Sequence, residues 1–441
     1  MKPTSRLLIT LALLIAIHRA AAQVPFTLSF SPRIGSYVRS VTTADVNSDG
    51  KLDLIGASAS ASKLVLWTNN GSGGFASNVA YAVGSFPYQV ISADVNGDGK
   101  PDLITANNSG NSLTILTNDG SGGFALATTL AAGTGSHPQS VAVADVNGDG
   151  KLDLVGANAG LASFTVWTNS GGSMFVSNAS YNVGSPGWDN PRWVITADVN
   201  GDSKPDIICA NVGSYVYLTI WTNNGAGGFA SAPVPYLSAG VSCVVAADVN
   251  GDGKPDLVLD NNSQVTVLTN NGSGGFAVSG NYPAGASAYA VVAADVNGDG
   301  WVDLISADQG NYTLIVLTND GSGNFGSNTT LNVGGGPESL TAADVDGDGR
   351  VDLISGNWND GTLTVLTNAA TFLPRLTLKR SANNVIVSWP AIWANWTLQQ
   401  RTNLTLGSWN SFSGTIGNDG TTKSATNSVP VTDRFFRLSN P

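Results

Sequence analysis

The sequence predicts an all-β chain: a seven-bladed β-propeller closed by its own N-terminal strand, followed by a small C-terminal β-sandwich. Three observations predict it. Of 441 residues, 53 are glycine and only 12% are charged, a balance that disfavours helical bundles, coiled coils and charge-rich disorder. A nine-residue acidic segment recurs seven times, its first aspartates spaced by 49, 51, 53, 50, 47 and 49 residues, which is a propeller-blade period. Each copy lies in the same succession of short, β-branched-rich runs bounded by Asn-Gly or Asp-Gly turns. That succession reads as four antiparallel strands, one blade per repeat. A β-solenoid would need much shorter repeats.

The first 22 residues read as a signal peptide. Lys2 and Arg6 form a basic start, and Leu7 to Ile17 is apolar. That run is too short to span a bilayer as a helix. Ala20, Ala21 and Ala22 supply small residues at the cleavage position, so the cut is expected after Ala22. No later segment reaches 18 apolar residues, and a secreted protein without a membrane span is expected. An uncleaved anchor is the alternative. The chain has two cysteines, Cys209 and Cys243. Export would allow one disulfide, but two buried free thiols are expected.

The repeat array occupies residues 23–372. Within a repeat, a run such as Ser140 to Val146 leads into the acidic segment, which ends in Asp-Leu-Ile or a variant. A run such as Leu363 to Asn368 follows, then a turn such as Asn70-Gly-Ser-Gly-Gly-Phe75, then a fourth run. Phe75, Phe229, Phe276 and Phe325 each precede the next first aspartate by 19 residues, and Phe26 precedes Asp45 by 19 as well. Residues 26–36 therefore read as a fourth strand with no blade before it. The last repeat lacks a fourth strand after Asn368. The N-terminal strand fills that vacancy and leaves no open sheet edge between first and last blades.

The acidic segments carry the chemistry. Positions 1, 5 and 9 are aspartate in all seven: Asp45, Asp49 and Asp53; Asp94, Asp98 and Asp102; Asp145, Asp149 and Asp153; Asp198, Asp202 and Asp206; Asp248, Asp252 and Asp256; Asp295, Asp299 and Asp303; Asp344, Asp348 and Asp352. Position 3 is Asn47, Asn96, Asn147, Asn200, Asn250 and Asn297, then Asp346. Oxygen ligands thus recur at every second residue of a tight loop. A backbone carbonyl at position 7 can complete the shell; the residues there are Lys51, Lys100, Lys151, Lys204, Lys254, Trp301 and Arg350. An all-oxygen set suits Ca²⁺, which takes six to eight oxygens in irregular geometry, better than Mg²⁺ or Zn²⁺. Up to seven structural Ca²⁺ ions are expected. An EF-hand would need a bidentate Glu at position 12 and helical flanks. Position 12 here is Gly56, Thr105, Gly156, Cys209, Leu259, Ser306 and Ser355, and the flanks are strand-like.

These Asp-x-Asn/Asp-x-Asp-Gly-x-x-Asp loops, with their period and Gly-Gly-Phe turns, resemble FG-GAP/VCBS repeats, the blades of integrin α-subunit propellers and of many secreted bacterial proteins. The resemblance covers roughly residues 26–372. It implies that each loop lies in the hairpin between first and second strands and holds Ca²⁺ through positions 1, 3, 5 and 9. One loop departs: Ser203 stands at position 6, where a turn with positive φ costs a non-glycine residue roughly 1–2 kcal/mol. The fourth loop is expected to bind weakest. The seventh, with Asp346 as a fourth carboxylate, is expected to bind tightest.

Charge agrees with metal occupancy. Of 31 carboxylates, 22 lie in the loops. Removal of residues 1–22 leaves 17 basic against 31 acidic residues, and seven Ca²⁺ ions would offset the difference. The metal-free protein is expected to be markedly less stable, because ions that bind the native state add stability by mass action.

Hairpins of a propeller alternate faces, so the acidic loops and Gly-rich turns share one face. The opposite face carries Tyr88, His137, Trp188, Trp193, Tyr215, Tyr217, Tyr289, Tyr312 and Trp358. Exposed aromatics beside Asn and Asp suit a glycan or a protein partner. Trp188, Trp358, Tyr88 and Tyr312 are the chosen ligand-binding candidates; packing between blades is the alternative for each. With only 20 Lys and Arg, a nucleic-acid partner is not expected.

Residues 373–441 read differently. Leu376 to Lys379, Val385 to Trp389, Trp396 to Gln400 and Arg434 to Leu438 alternate as short strands, which suggests a small β-sandwich. This tail resembles C-terminal modules of secreted Verrucomicrobia-type proteins. It reads as a docking module or a folded end-cap.

A non-catalytic, calcium-binding extracellular scaffold, monomeric, with a glycan or protein ligand is the expected function. A lectin of the same fold and a polysaccharide lyase are the alternatives. No catalytic residue is assigned. Only His18 and His137 are histidines, and Glu338 is the sole glutamate. No Gly-x-Ser-x-Gly motif appears. His137 with Asp189, Asp308, Glu338 or Asp360 would be the lyase candidates.

Overall fold

The computed structural model describes residues 24–369, apart from 36, 214–216 and 238–239, and six stretches of the tail: 376–381, 384–390, 397–401, 409–418, 422–428 and 435–439. The signal-peptide reading of residues 1–22 and the candidate Tyr215 lie outside the described residues. So do Trp396, Arg434 and the boundary at 372.

Seven four-stranded antiparallel sheets form the main body. Six are built from consecutive strands. The seventh combines Pro337–Ala343, Asp352–Asn357 and Thr362–Asn368 with the N-terminal strand Phe26–Phe30. Phe26 pairs with Asn368, and Leu28 with Leu366. The closing strand expected over 26–36 is thus present but shorter, continued only by an isolated bridge between Arg33 and Thr362.

The first strands make the inner ring. Val38–Ala44, Pro87–Ala93, Pro138–Ala144, Asp189–Ala197, Cys243–Ala247, Ala288–Ala294 and Pro337–Ala343 each pack on the next, and the last packs on the first. Second strands are buried along their first six residues, as in Asp53–Ser58 and Asp303–Asp308. Fourth strands alternate exposed and half-buried residues, as in Phe124–Ala131, because only one of their faces meets a neighbouring blade.

The core lies between blades. Seven apolar clusters fill the seven blade interfaces. One joins Ile55, Leu64 and Leu66 of the first blade to Val90, Leu103 and Leu116 of the second. Another joins Leu54, Val65 and Trp67 to Val345, Ile354 and Leu363 across the closure. Each buried Leu or Ile side chain contributes about 1.5–3 kcal/mol, so closing the ring adds a full interface. The Gly-Gly-Phe phenylalanines enter these clusters, and Phe124 packs edge-on to Tyr81 with ring centroids 5.3 Å apart.

Cys209 and Cys243 are buried free thiols. Burial pushes both up to about 12, so neither is a thiolate at neutral pH. In the tail, a four-stranded and a three-stranded sheet share a core of Val387, Trp389, Leu398 and Ala425, which is a small sandwich. Among the described residues no helix is long and apolar enough to cross a membrane.

Candidate functional site

Each acidic loop joins the first and second strands of its blade. In the first loop Asp45 accepts the Asp49 amide on Oδ1 (3.1 Å) and the Gly50 amide on Oδ2 (2.8 Å). Asn47 Oδ1 also accepts from the Asp49 amide (3.0 Å), and Asp49 Oδ1 accepts from the Lys51 amide (3.0 Å). The backbone thereby turns positions 1, 3 and 5 onto one small loop. The second to sixth loops repeat the set. Among the described residues one trio of acidic groups has ligand atoms all within 4.8 Å of one another: Asp344, Asp346 and Asp348. These donors are hard oxygens, and the set fits Ca²⁺.

Position 9 sits deeper. Asp53 is fully buried, with Oδ2 accepting from the Val46 amide (3.1 Å) and Oδ1 from the Asn69 amide (2.7 Å). Its counterparts do the same. Burial, reinforced by the aspartates at positions 5 and 1, raises Asp53 above the usual carboxylate range. Burial takes Asp303 to about 7 and Asp352 to about 6. A cation beside these groups would relieve the mutual repulsion of the carboxylates.

Position 7 adds a side-chain role. Lys151 reaches Asp149 at 3.2 Å, Lys204 reaches Asp202 at 3.4 Å, and Arg350 pairs with Asp348. The lysine stem lies over the glycine of the next turn: a Cβ on Gly71 would stand 2.7 Å from Lys51 Cε. Trp301 takes that place in the sixth loop, over Gly321.

Ser203 has φ 64°, as expected for position 6, where the six glycines lie between 80° and 85°. Ser48 has φ 61° at position 4, where the other six loops carry glycine. The first loop is therefore strained as well, a departure from glycine that the sequence shows at Ser48.

The asparagine ending each third strand has a structural role that was not among the expected site residues. Asn69 Nδ2 donates to the carbonyls of Leu52 in its own blade (2.8 Å) and Val345 in the preceding one (2.7 Å). Asn118, Asn169, Asn223, Asn270, Asn319 and Asn368 make the equivalent bonds to Val46, Val95, Val146, Val199, Val249 and Val296. These acceptors are the second residues of the preceding acidic loops. Each loop is thereby tied to the next blade. The signal was the invariable Thr-Asn that closes every third run.

At the opposite end of the ring, side chains converge on the axis. They stand six residues before each first aspartate, where six of the first strands carry a bulge flanking Arg39, Tyr88, Gln139, Arg192, Tyr289 and Glu338. Arg39 donates to Tyr289 (2.7 Å) and is paired with Glu338. Arg192 Nη2 donates to the Tyr88 hydroxyl (3.0 Å), and the Tyr88 and Tyr289 hydroxyls are hydrogen-bonded at 3.2 Å. Arg39 and Glu338 belong to neighbouring blades, whereas the Arg39–Tyr289, Arg192–Tyr88 and Tyr88–Tyr289 contacts join non-adjacent blades and so cross the axis. Arg39 lies 3.7 Å above the Trp358 ring and 4.3 Å above Tyr88, and Arg192 lies 3.9 Å above Tyr289. Such cation–π contacts contribute about 0.5–2 kcal/mol each. Gln309 donates to Glu338. Burial raises the Glu338 carboxyl, while Arg39 and Arg192 oppose that rise.

The structure thus brings Tyr88 and Trp358 together through Arg39. Trp358 is enclosed, stacked on Tyr37 at 4.2 Å with Arg39 also over its ring. Trp188 and Tyr312 are 58% and 47% exposed. Trp193 and Tyr217 pack between blades. His137 is exposed, with its Nδ1 3.2 Å from the Asn108 carbonyl. Asp308 is spent on the amides of Ser287 and Ala286 and on Asn311 Nδ2, which together outweigh burial and lower its pKa. Asp360 caps the amides of Gly335 and Thr362.

A family model described as FG-GAP-like repeat matches residues 45–105, 94–156, 145–209, 198–259, 250–306 and 295–355. Among solved structures the chain is similar to BBS1N, crystallised in complex with ARL6DN and soaked with mercury, at 15% identity and TM-score 0.57. That match covers 79% of this chain and 99% of BBS1N. The same complex soaked with lead matches at 14% identity and TM-score 0.56, covering 80% and 99%. A lectin of Agrocybe aegerita that recognises non-reducing terminal N-acetylglucosamine matches at 22% identity and TM-score 0.47, covering 75% and 86%. The BBS1N likeness shows the fold alone. No curated protein matches the chain.

Proposed function

The chain belongs to the FG-GAP-like repeat family, and from that premise we propose that it is an exported, calcium-stabilised binding scaffold whose ligand meets the face opposite the acidic loops. The division of labour between the two ends of the ring carries this reading. One end holds seven oxygen-rich loops, each tied to the next blade through an asparagine. The other gathers cationic and aromatic side chains from five blades onto one point. Calcium in the loops would stiffen the ring and hold that point in register.

Strain at the ligand end supports the same reading. Tyr37 and Phe86, which flank Trp358, have φ of 64° and 58°. Left-handed aromatic residues cost about 1–3 kcal/mol each and cluster where geometry matters for function. The role is read as non-catalytic, since Asp308, Asp360 and Glu338 are spent on amides or on Arg39. The hydroxyls and aromatic rings gathered at the axis favour a glycan ligand over a flat protein interface.

The test is retention on a panel of acidic and neutral glycans and extracellular matrix proteins, with calcium and with chelator. Calcium-dependent retention that Tyr88→Ala weakens supports the proposal. Retention of nothing, or retention indifferent to Tyr88→Ala, contradicts it. Export is checked by N-terminal sequencing of secreted protein, expected to begin at Gln23.

A further inference from the structure

Resting on the ligand-face reading above, we infer that the axial mouth takes a carboxylated sugar, and that Arg192 is the residue that pairs with its carboxylate. The charge count at the axis comes first. Two guanidinium groups, Arg39 and Arg192, meet there, but Glu338 pairs with Arg39 alone. Arg192 has no ion pair among the described residues. Its polar contacts are the Tyr88 hydroxyl at 3.0 Å and the Ser242 hydroxyl at 3.4 Å. A guanidinium carries five donors in a fixed fork, so most of its bonding capacity is open. In a chain of net charge −11, an unpaired, half-buried arginine on the symmetry axis is out of keeping with its surroundings.

Its surroundings hold the group in place without neutralising it. The Tyr289 ring lies 3.9 Å from the guanidinium carbon and fixes one face. Asp260 is close enough to feel Arg192, yet both its oxygens are buried without a hydrogen-bond partner. Burial raises Asp260 well above the usual carboxylate range, with Arg192 opposing. The six equivalent positions are Ala57, Ala106, Ala157, Ala210, Ala307 and Gly356, so a carboxyl there belongs to this blade alone.

The chemistry of the ligand follows. A single guanidinium without an ion pair among the described residues matches a monoanion rather than a phosphate dianion. A planar fork matches a carboxylate through two parallel hydrogen bonds. The rim adds neutral groups: the hydroxyls of Ser242, Tyr88 and Tyr289, and the ring of Tyr37, 43% exposed. Hydroxyls and an open aromatic face suit a sugar ring that carries the acid.

The experiment is calorimetric titration of the calcium-loaded full chain with a tetrasaccharide of alternating glucuronate and N-acetylglucosamine, and with its carboxyl-reduced counterpart. The acid form is expected to bind about ten- to a hundredfold more tightly than the reduced form, the range of a charge-assisted hydrogen-bond pair. Arg192→Gln should lose the same factor while the calcium-loaded chain still unfolds in one transition well above the titration temperature, and Arg192→Lys should fall between. Equal binding of both sugars, or undiminished binding by Arg192→Gln, would overturn the inference while leaving a glycan-binding face intact. No heat from the acid form overturns it too, and the wider panel then decides separately whether the face binds anything.

Discussion

The Asn69 side-chain amide donates to the Val345 carbonyl at 2.7 Å, fastening the first blade to the acidic loop of the last. The bond spans 276 residues of sequence, and it is the ring-closing copy of a clasp made seven times. Asn69→Ala leaves the buried carbonyls of Leu52 and Val345 without that donor. A loss of about 1–3 kcal/mol is expected, read as a lower denaturant midpoint. An unchanged midpoint would remove the clasp from the account.

Truncation to residue 31 tests closure from the other side. It removes Phe26–Phe30 and exposes the Thr362–Asn368 edge. Such edges invite pairing with other chains. The truncated protein should lose its single cooperative transition and self-associate in sedimentation; a monomer of unchanged stability would contradict the closed ring.

The metal-free protein should lose stability as pH rises. Burial raises Asp303 to about 7 and Asp352 to about 6, against an ordinary 3.8. The native state thus keeps protons that the unfolded chain releases. That contribution is fully present below pH 3.8 and is lost as pH climbs through about 6 and about 7. Denaturant midpoints in chelator should fall between about pH 5 and pH 8, and saturating calcium should abolish the fall. A midpoint that rises with pH in chelator would contradict the burial of these groups.

Relief of strain should stabilise two loops. Ser48→Gly and Ser203→Gly each replace a side chain at φ 61° or 64°. A gain of up to about 1 kcal/mol is expected, reduced by the greater freedom of glycine in the unfolded chain. Thermal unfolding in chelator measures it, and a loss at either site would show that the turn does not resist a side chain.

The sixth loop offers an internal reporter. Trp301 replaces the lysine or arginine that pairs with position 5 in the other loops. Terbium in place of calcium should be sensitised by this indole. Trp301→Lys should cut the emission without changing the number of metals bound. Unchanged emission would place the metal away from this loop.

Much of the ring was legible because each repeat states its own pattern seven times. The period, the Asn-Gly turns and the unpaired count from Phe26 to Asp45 fix the blades and their closure. The axial cluster was legible only in part. Tyr88 and Trp358 stood out as aromatics, but Arg39 and Arg192 gained meaning only when bulges turned the same repeat position inward from several blades. A column that varies among Arg, Tyr, Gln, Ser and Glu carries no periodic signal. Trp193 and Tyr217 misled for the converse reason: an aromatic near a loop packs between blades as readily as it faces solvent. The Thr-Asn ends were visible but looked like turn chemistry, because nothing local shows that an asparagine reaches a carbonyl some 70 residues away.

The most direct measurement is calcium titration of chelated protein with metal counting and thermal unfolding on the same samples. Binding of about seven ions per chain with a large rise in melting temperature is the predicted result. One or two ions with no change in stability would leave most loops empty and contradict a ring held by calcium.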